Sequence, residues 1–145
     1  MRNGLILLVV DDNPADVLLV REALSGSSIR SQITTCADGE EALAFLKKEG
    51  RYTETHGPDL MILDLNLPKR DGLSVLAAAK SDPALKHIPV VIFSTSKLGK
   101  DVARSYELGA NCYVCKPGNL NDFFSAMKSI HEFWCGTVCL SPQGE

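Results

Sequence analysis

The sequence predicts an α/β protein in which helices cover both faces of an open parallel sheet. Apolar runs of strand length alternate with segments of helical period, five of each, along the chain. The run at residues 88–94 is continuously apolar, as in strands buried on both faces. Since strands alternate with helices, the strands should be parallel and joined by right-handed crossovers. A chain of 145 residues is one ordinary domain.

The first two strand–helix units carry clear start signals. A strand is predicted at residues 5–10, and Asn13 then offers an N-cap with Pro14 at the first helical position. The second strand is predicted at residues 31–36 and the second helix at residues 40–48. These units supply the first two strands of the sheet.

A polar, unpatterned stretch at residues 48–59 is expected to be a surface loop. The third strand follows at residues 60–65, and Asp71 is the predicted N-cap of the third helix. The fourth strand is the apolar run at residues 88–94. This part of the chain therefore contributes two buried strands.

The last part of the chain predicts a helix at residues 100–108, a strand at residues 112–115 and a helix at residues 120–135. Apolar side chains recur at helical spacing on the last helix and should pack on the sheet: Phe123, Met127, Ile130 and Trp134. Phe124 and Phe133 lie off this face and should be exposed.

Composition excludes several classes of protein. With 45% hydrophobic residues, 23% charged residues and a net charge of −3, the chain has no bias toward nucleic acid. Its apolar runs are too short to span a membrane, and its first residues lack the pattern of a signal peptide. We therefore expect a cytoplasmic protein that binds neither nucleic acid nor membrane.

Five cysteines raise the possibility of a metal or redox site. Cys112 and Cys115 have a suitable spacing, but on a strand the positions i and i+3 face opposite sides of the sheet. We expect them to be small, buried or half-buried residues. The other cysteines, Cys36, Cys135 and Cys139, form no metal spacing with the histidines, which we expect at the surface: His56, His87 and His131.

Charged and hydroxyl residues follow four of the five strands. Asp11 and Asp12 come directly after the first strand, Asp64 lies at the end of the third, Ser94 ends the fourth and Lys116 follows the fifth. In open parallel sheets, ligands bind beyond these carboxyl ends. Each pair of carboxylates there would repel by about 4 kcal/mol at an effective dielectric constant of 20. A hard cation such as Mg²⁺ relieves this repulsion and leaves sites for phosphate oxygens.

Asp64 is the candidate nucleophile of this set. A cation, a lysine and a hydroxyl around a carboxylate neutralise the charge of a phosphoryl group from several directions. Attack by Asp64 on phosphorus would give an aspartyl-phosphate.

These motifs resemble the receiver domain of two-component response regulators. The shared pattern is an acidic pair after strand one, D-x-x-x-P after strand three, Ser or Thr after strand four and K-P after strand five; here it reads DD, DLNLP, STS and KP. The resemblance covers about residues 4–130 and implies a flavodoxin-like (βα)5 fold with strand order 2-1-3-4-5. The EFW near the end of the last helix and the long loop before Pro58 are similar to stand-alone receivers paired with bacterial phytochromes.

The resemblance also implies roles for individual residues. Asp64 would be the phosphoacceptor, and Tyr113 and Ser94 would form a conformational switch. The implied ligands of Mg²⁺ (or Mn²⁺) are Asp11, Asp12, Asp64 and Asn66, with Asp12 binding directly, Asp11 through water and Asn66 through its carbonyl. The implied phosphate-binding residues are Ser94, Thr95 and Lys116.

The implied function is that of a single-domain switch rather than an enzyme. Residues 1–135 would form the receiver and residues 136–145 a short tail. The partners would be a sensor histidine kinase or histidine phosphotransfer protein and a downstream protein target. The exposed aromatics and the apolar tail, which could instead fold back as a cover, favour a homodimer.

Three other classes fit less well. A haloacid-dehalogenase-type phosphatase needs a second carboxylate where this chain has Asn66. A flavodoxin would have a Ser-, Thr- and Gly-rich phosphate loop after strand one, whereas this chain has DDNPAD. A receiver-like docking module that works without phosphorylation is the alternative function, although every acceptor-site position is intact.

Overall fold

The computed structural model of the chain describes residues 4–142. The first three residues of the predicted receiver, 1–3, and the last three residues of the predicted tail, 143–145, lie outside the described residues. The strands are β1 (Leu5–Val10), β2 (Ser31–Cys36), β3 (Leu60–Leu63), β4 (Val90–Ser94) and β5 (Cys112–Cys115). The helices are α1 (Pro14–Leu24), α2 (Gly39–Leu46), α3 (Gly72–Ser81), α4 (Gly99–Glu107) and α5 (Leu120–His131).

The five strands form one sheet in the order β2-β1-β3-β4-β5, and each neighbouring pair is parallel. The predicted doubly wound fold and its strand order are confirmed. Because β1 and β3 are neighbours, their carboxyl ends lie side by side, with Val10 paired to Leu63.

Alternate side chains of the central strands enter two separate cores. One core contains Leu8, Leu63 and Ile92 together with side chains of α2 and α3. The other contains Leu7 and Phe93 together with side chains of α1 and α5. The helices therefore cover both faces of the sheet, as the sequence predicts.

Four helices begin with a side-chain cap. Asn13, Asp38, Asp71 and Asn119 each accept a backbone N–H from the first turn of α1, α2, α3 and α5, respectively. The structure describes all of α4, and its N-cap residue, Leu98, provides no side-chain cap.

The long loop before β3 contains one turn of 3₁₀-helix, Gly50–Tyr52, that the sequence does not predict. The Tyr52 hydroxyl donates to the Glu41 carboxylate at 2.8 Å, and the Arg51 guanidinium binds the same carboxylate. The Tyr52 ring also stacks edge-on against Phe45. These contacts fix the loop to α2.

The last helix differs from the prediction in its final turn. The α-helix ends at His131, and a wider π-helical turn, Glu132–Thr137, follows it. This turn packs Trp134 and Cys135 against the core that α5 shares with α1. Phe124 also packs against this core, so the expectation that it is exposed was wrong, whereas Phe133 is 52% exposed.

His131 is buried, so the expectation of a surface histidine was wrong at this position. Its Nε2 lies 3.1 Å from the Ser31 hydroxyl of β2, and this contact gives the buried imidazole nitrogen a hydrogen-bond partner inside the protein. His56 and His87 are exposed, as expected.

None of the described helices has the length and apolar character that crossing a membrane requires.

Candidate functional site

Backbone hydrogen bonds fix three charged side chains at the carboxyl edge of the sheet. The Asp11 N–H donates to the Cys36 carbonyl at 3.0 Å, which extends the pairing of β1 with β2 by one residue. The Asp64 N–H donates to the Val10 carbonyl at 3.0 Å, and the Lys116 N–H donates to the Ser94 carbonyl at 2.8 Å. The backbone positions of Asp11, Asp64 and Lys116 are therefore fixed by hydrogen bonds to neighbouring strands of the sheet.

The Lys116 ammonium lies at the centre of the site and is buried. Its Nζ is 2.8 Å from Asp11 Oδ2, 3.0 Å from Asp64 Oδ2 and 2.8 Å from Asp16 Oδ2. An ammonium has three N–H donors, so three carboxylates satisfy it fully. The sequence predicts Asp11, Asp64 and Lys116 in one site, and the structure brings them together.

Burial and ion pairing act on these groups in opposite directions. Burial alone would lower the pKa of Lys116, but the hydrogen bonds that its ammonium donates to Asp11, Asp16 and Asp64 outweigh this effect and raise the pKa above its usual range. Burial raises the pKa of the Asp11 carboxyl, and the contacts with Lys116 and the Asn13 N–H oppose this effect. The lysine is therefore a fixed positive charge beside partly desolvated carboxylates.

Asp12 completes a group of carboxylates suited to a cation. Among the described residues, Asp11, Asp12 and Asp64 each offer an oxygen, and these atoms lie within 4.8 Å of one another. Asp12 is exposed, unlike Asp11 and Asp64. An all-oxygen group that is open on one side is consistent with divalent metal binding, because such ions take carboxylates and keep several waters.

The loop after β3 packs closely on the backbone of Asp64. A Cβ added to Gly72 would lie 2.2 Å from the Asp64 carbonyl oxygen, so only glycine allows α3 to start there. The Gly72 N–H donates to the Leu65 carbonyl at 2.8 Å. The Asn66 N–H faces Asp64 Oδ1 at 3.3 Å, and its side chain is exposed.

The end of β4 supplies the hydroxyls of the site. Ser94 is buried, and its Oγ accepts the Ser96 N–H at 3.4 Å, whereas Thr95 is exposed. Tyr113 on β5 is half-buried, and its hydroxyl donates to the Ser96 carbonyl at 2.8 Å. Both predicted switch residues, Ser94 and Tyr113, therefore contact the same loop residue.

Sequence reasoning missed several residues around this loop. The Ser96 hydroxyl donates to Asp101 on α4 at 2.6 Å, and the Tyr106 hydroxyl of α4 accepts the Tyr113 N–H at 3.1 Å. Asp16, the third partner of Lys116, was also missed. Asp16 carried a signal, since an acidic residue in the first turn of α1 lies beside the predicted site.

Cys112 and Cys115 are half-buried, as expected. Cys112 packs on the core shared by α1 and α5, whereas the Cys115 thiol lies on the other side near the Ser96 carbonyl. Burial raises the pKa of the Cys112 thiol. They therefore cannot share a metal ion.

Comparison with known proteins identifies the family. The model of the response regulator receiver domain matches residues 7–128 of this chain. This chain belongs to the response regulator receiver family. Among similar proteins, response regulator Rcp1 of Synechocystis sp. is 47% identical over 135 residues, which are 93% of this chain and 92% of Rcp1. The probable methanogenesis regulatory protein FilR2 of Methanothrix harundinacea is 36% identical over 132 residues, which are 90% of this chain and 84% of FilR2.

Solved receiver structures match the fold closely. The Mn²⁺-bound form of Rcp1 is 46% identical with a TM-score of 0.93, and the match covers 95% of this chain and 99% of that structure. The phosphorylated cyanobacterial phytochrome response regulator RcpA is 47% identical with a TM-score of 0.94, and the match covers 96% of this chain and 99% of RcpA. The predicted resemblance, including its phytochrome-associated type, is confirmed.

Proposed function

We propose that this receiver accepts a phosphoryl group on Asp64 and changes conformation to control the binding of a protein target. The donor is a sensor histidine kinase or a histidine phosphotransfer protein, and the protein works in the cytoplasm. The observation that carries the proposal is the contact of Lys116 with both Asp64 and Asp11, beside three carboxylates whose oxygens converge within 4.8 Å.

The transfer step needs a nucleophile and neutralised charge. An Asp64 oxygen attacks the phosphorus of a phosphohistidine, the P–N bond breaks, and its electron pair returns to the imidazole. The Lys116 ammonium exchanges its contact with Asp64 for a phosphoryl oxygen, and the Ser94 hydroxyl and the Thr95 N–H or hydroxyl donate to others. The chain is thus a phosphoacceptor that assists its own transfer, not an enzyme acting on separate substrates.

The carboxylates fit a resident divalent cation. Asp11, Asp12 and Asp64 would hold Mg²⁺ (or Mn²⁺), together with the carbonyl of Asn66. When bound, the ion offsets the repulsion among these carboxylates and the charge of the incoming phosphoryl group. Rcp1, a close relative, has been solved in an Mn²⁺-bound form.

The proposed switch begins at Ser94. A phosphoryl group adds charge and strong hydrogen-bond acceptors at Asp64, so the Ser94 hydroxyl moves toward it and no longer accepts the Ser96 N–H. Ser96 also accepts the Tyr113 hydroxyl and donates to Asp101. A shift of Ser96 therefore changes both β5 and α4, which alters the surface that a target can bind.

The proposal is tested by phosphorylation with acetyl phosphate and Mg²⁺, with the product resolved by intact mass. Wild type should gain one phosphoryl group, and Asp64→Asn should gain none. Asp71→Asn is the matched control, because it makes the same substitution in the same loop and asparagine can still cap α3. Labelling of Asp64→Asn to the level of wild type would rule out Asp64 as the acceptor, and no labelling of wild type would favour the docking-module alternative.

The metal is tested separately with Asp12→Ala. Loss of this exposed ligand should abolish the Mg²⁺-dependent labelling but leave the thermal stability in Mg²⁺-free buffer equal or higher, because a like charge is removed. A clear loss of stability in that buffer would make Asp12 a structural residue.

We further propose a homodimer. Phe133, in the π-helical turn after α5, is 52% exposed, and Val138 and Leu140 beyond it are half-buried, so some apolar surface remains open near the predicted tail. Light scattering after size exclusion, with and without beryllofluoride, measures this. A strict monomer in both states at high micromolar concentration would exclude the dimer.

A further inference from the structure

The Asp16 carboxylate is a partner of Lys116 to which the motif of the family assigns no role. Its Oδ2 lies 2.8 Å from the Lys116 Nζ, as close as the Asp11 oxygen. The Asp16 side chain is 21% exposed, whereas that of Lys116 is 4% exposed. The contact therefore lies at the boundary between the buried site and solvent.

The start of α1 explains why the Asp16 carboxylate reaches the lysine. Asn13 is the N-cap and accepts the N–H groups of Ala15 and Asp16. In a capping box, the side chain at the third helical position, Glu or Gln, accepts the N–H of the N-cap residue. Here Asp11 Oδ1 accepts the Asn13 N–H at 2.9 Å, so the Asp16 carboxylate is available for Lys116.

Asp16 differs from the other two partners of the lysine. Asp11 and Asp64 belong to the group of oxygens within 4.8 Å that suits a cation, and among the described residues that group comprises these two and Asp12. A cation competes with Lys116 for Asp11 and Asp64. Phosphorylation turns the Asp64 carboxylate into an acyl phosphate, whose negative charge lies on the phosphoryl oxygens and no longer on Asp64 itself. Asp16 is the one partner that neither event engages.

We propose that Asp16 is the positioning residue for Lys116: it holds the ammonium in the site while a cation and a phosphoryl group occupy Asp11 and Asp64. This inference rests on the proposed phosphotransfer to Asp64. Without Asp16, the lysine and the cation depend on the same two carboxylates, and each weakens the binding of the other. In a protein that lacks the Asp16 carboxylate, the Lys116 ammonium should therefore leave the site when the cation binds.

The first experiment follows the Lys116 ammonium directly by NMR of protein labelled with ¹⁵N-lysine. A buried ammonium with three carboxylate partners exchanges its protons slowly, so its signal should be visible in wild type without metal and should persist at saturating Mg²⁺. In Asp16→Asn the signal should broaden, and it should be lost when Mg²⁺ is added. Asp16→Glu, which restores the charge, should recover it. A signal in Asp16→Asn that persists with Mg²⁺ as in wild type overturns the proposal.

The second experiment measures the initial rate of labelling by acetyl phosphate at saturating Mg²⁺. Asp16→Asn should be slower by about tenfold or more, as expected for a lost contact between charged groups. Glu22→Gln is the matched control, because it removes the same charge from an exposed position of the same helix, and its rate should stay within twofold of wild type. Equal slowing of both variants would mean a general effect of charge and would overturn the proposal.

A double-mutant cycle separates action through the lysine from other effects. In a Lys116→Met background, Asp16→Asn should cause no further slowing. A further slowing of the same size as in wild type would show that Asp16 acts elsewhere and would overturn the proposal. If wild type is not labelled at all, the proposed phosphotransfer fails, while the metal-free NMR comparison, which needs no phosphoryl donor, still decides whether Asp16 holds Lys116.

Discussion

The helices α4 and α5 flank the same edge strand, β5, but they are attached to the protein in different ways. α5 begins at a side-chain cap and buries Phe123, Met127, Ile130 and His131. α4 begins without one, and of its residues, all of which the structure describes, Ser105 alone is buried. Burial of apolar side chains therefore attaches α5 to the rest of the protein, whereas α4 buries no large apolar side chain.

Directional hydrogen bonds hold α4 instead. Asp101 accepts the Ser96 hydroxyl, and the Tyr106 hydroxyl accepts the Tyr113 N–H. Ser96 is in turn bonded to Ser94 and Tyr113, the proposed switch residues. Apolar burial changes little when a charge appears a few residues away, whereas a short chain of hydrogen bonds can be rearranged at low cost. The proposed switch would therefore act on the surface of α4, which is attached by polar contacts close to Asp64.

The largest effect should come from removing a core side chain of α5. Met127→Ala should lower the free energy of unfolding by about 2–5 kcal/mol, since Met127 is fully buried and the change leaves a cavity. The corresponding change in α4, Val102→Ala, should cost about 1 kcal/mol or less, because Val102 is half-buried. Urea unfolding of both variants measures the contrast, and equal losses would contradict it.

A cap added to α4 should reduce the difference between the two helices. Leu98 has extended backbone angles of φ −67° and ψ 128° and is 57% exposed, so Leu98→Asp can cap the first turn with little loss of burial. We expect a gain of about 1 kcal/mol in the free energy of unfolding and slower hydrogen exchange of α4 amides.

The reciprocal change removes the cap of α5. Asn119→Ala should lower the free energy of unfolding by about 1 kcal/mol, because the Asp122 N–H loses its acceptor. If Leu98→Asp brings no gain while Asn119→Ala brings the expected loss, the missing cap does not explain the weak attachment of α4.

The fold and the convergence of charged residues at the carboxyl edge of the sheet could be predicted because their signals are local. The apolar runs, the caps Asn13 and Asp71 and the residues that follow each strand are all read directly from the chain, and parallel strands bring their carboxyl ends together. The contacts of Ser96 with Asp101 and of Tyr106 with Tyr113 could not be predicted, because they depend on how α4 lies against β5. The burial of His131 carried a signal, since it lies four residues after Met127 on the buried face of α5.

Loss of one hydroxyl should loosen α4 more than α5. Tyr113→Phe removes the hydrogen bond to the Ser96 carbonyl but keeps the ring, so the free energy of unfolding should fall by about 0.5–1.5 kcal/mol. Amides of α4 should exchange faster, and those of α5 should be unchanged. Tyr106→Phe removes the other hydrogen bond between α4 and β5 and should also speed exchange in α4 while leaving α5 unchanged. If amide exchange speeds up equally in both helices after Tyr113→Phe, the hydrogen bond between Tyr113 and Ser96 does not stabilise α4 alone.

The smallest effect should be a pH dependence located in α5. Burial lowers the pKa of His131, although the nearby Glu132 opposes the shift. The unfolded chain therefore binds a proton at a higher pH than the folded chain, and the free energy of unfolding should fall as the pH drops below the ordinary histidine pKa of about 6.5 toward the lowered pKa of His131.

The variant His131→Gln tests this cause. Its side chain cannot titrate but can still bond to Ser31, so this part of the pH dependence should disappear. Urea unfolding at pH 7.5 and 5.5 measures the difference, with His87→Gln as the exposed control that should behave as wild type. If His131→Gln loses as much stability as wild type between these two pH values, protonation of His131 does not weaken the attachment of α5, and the contrast with α4 rests on apolar burial and capping alone.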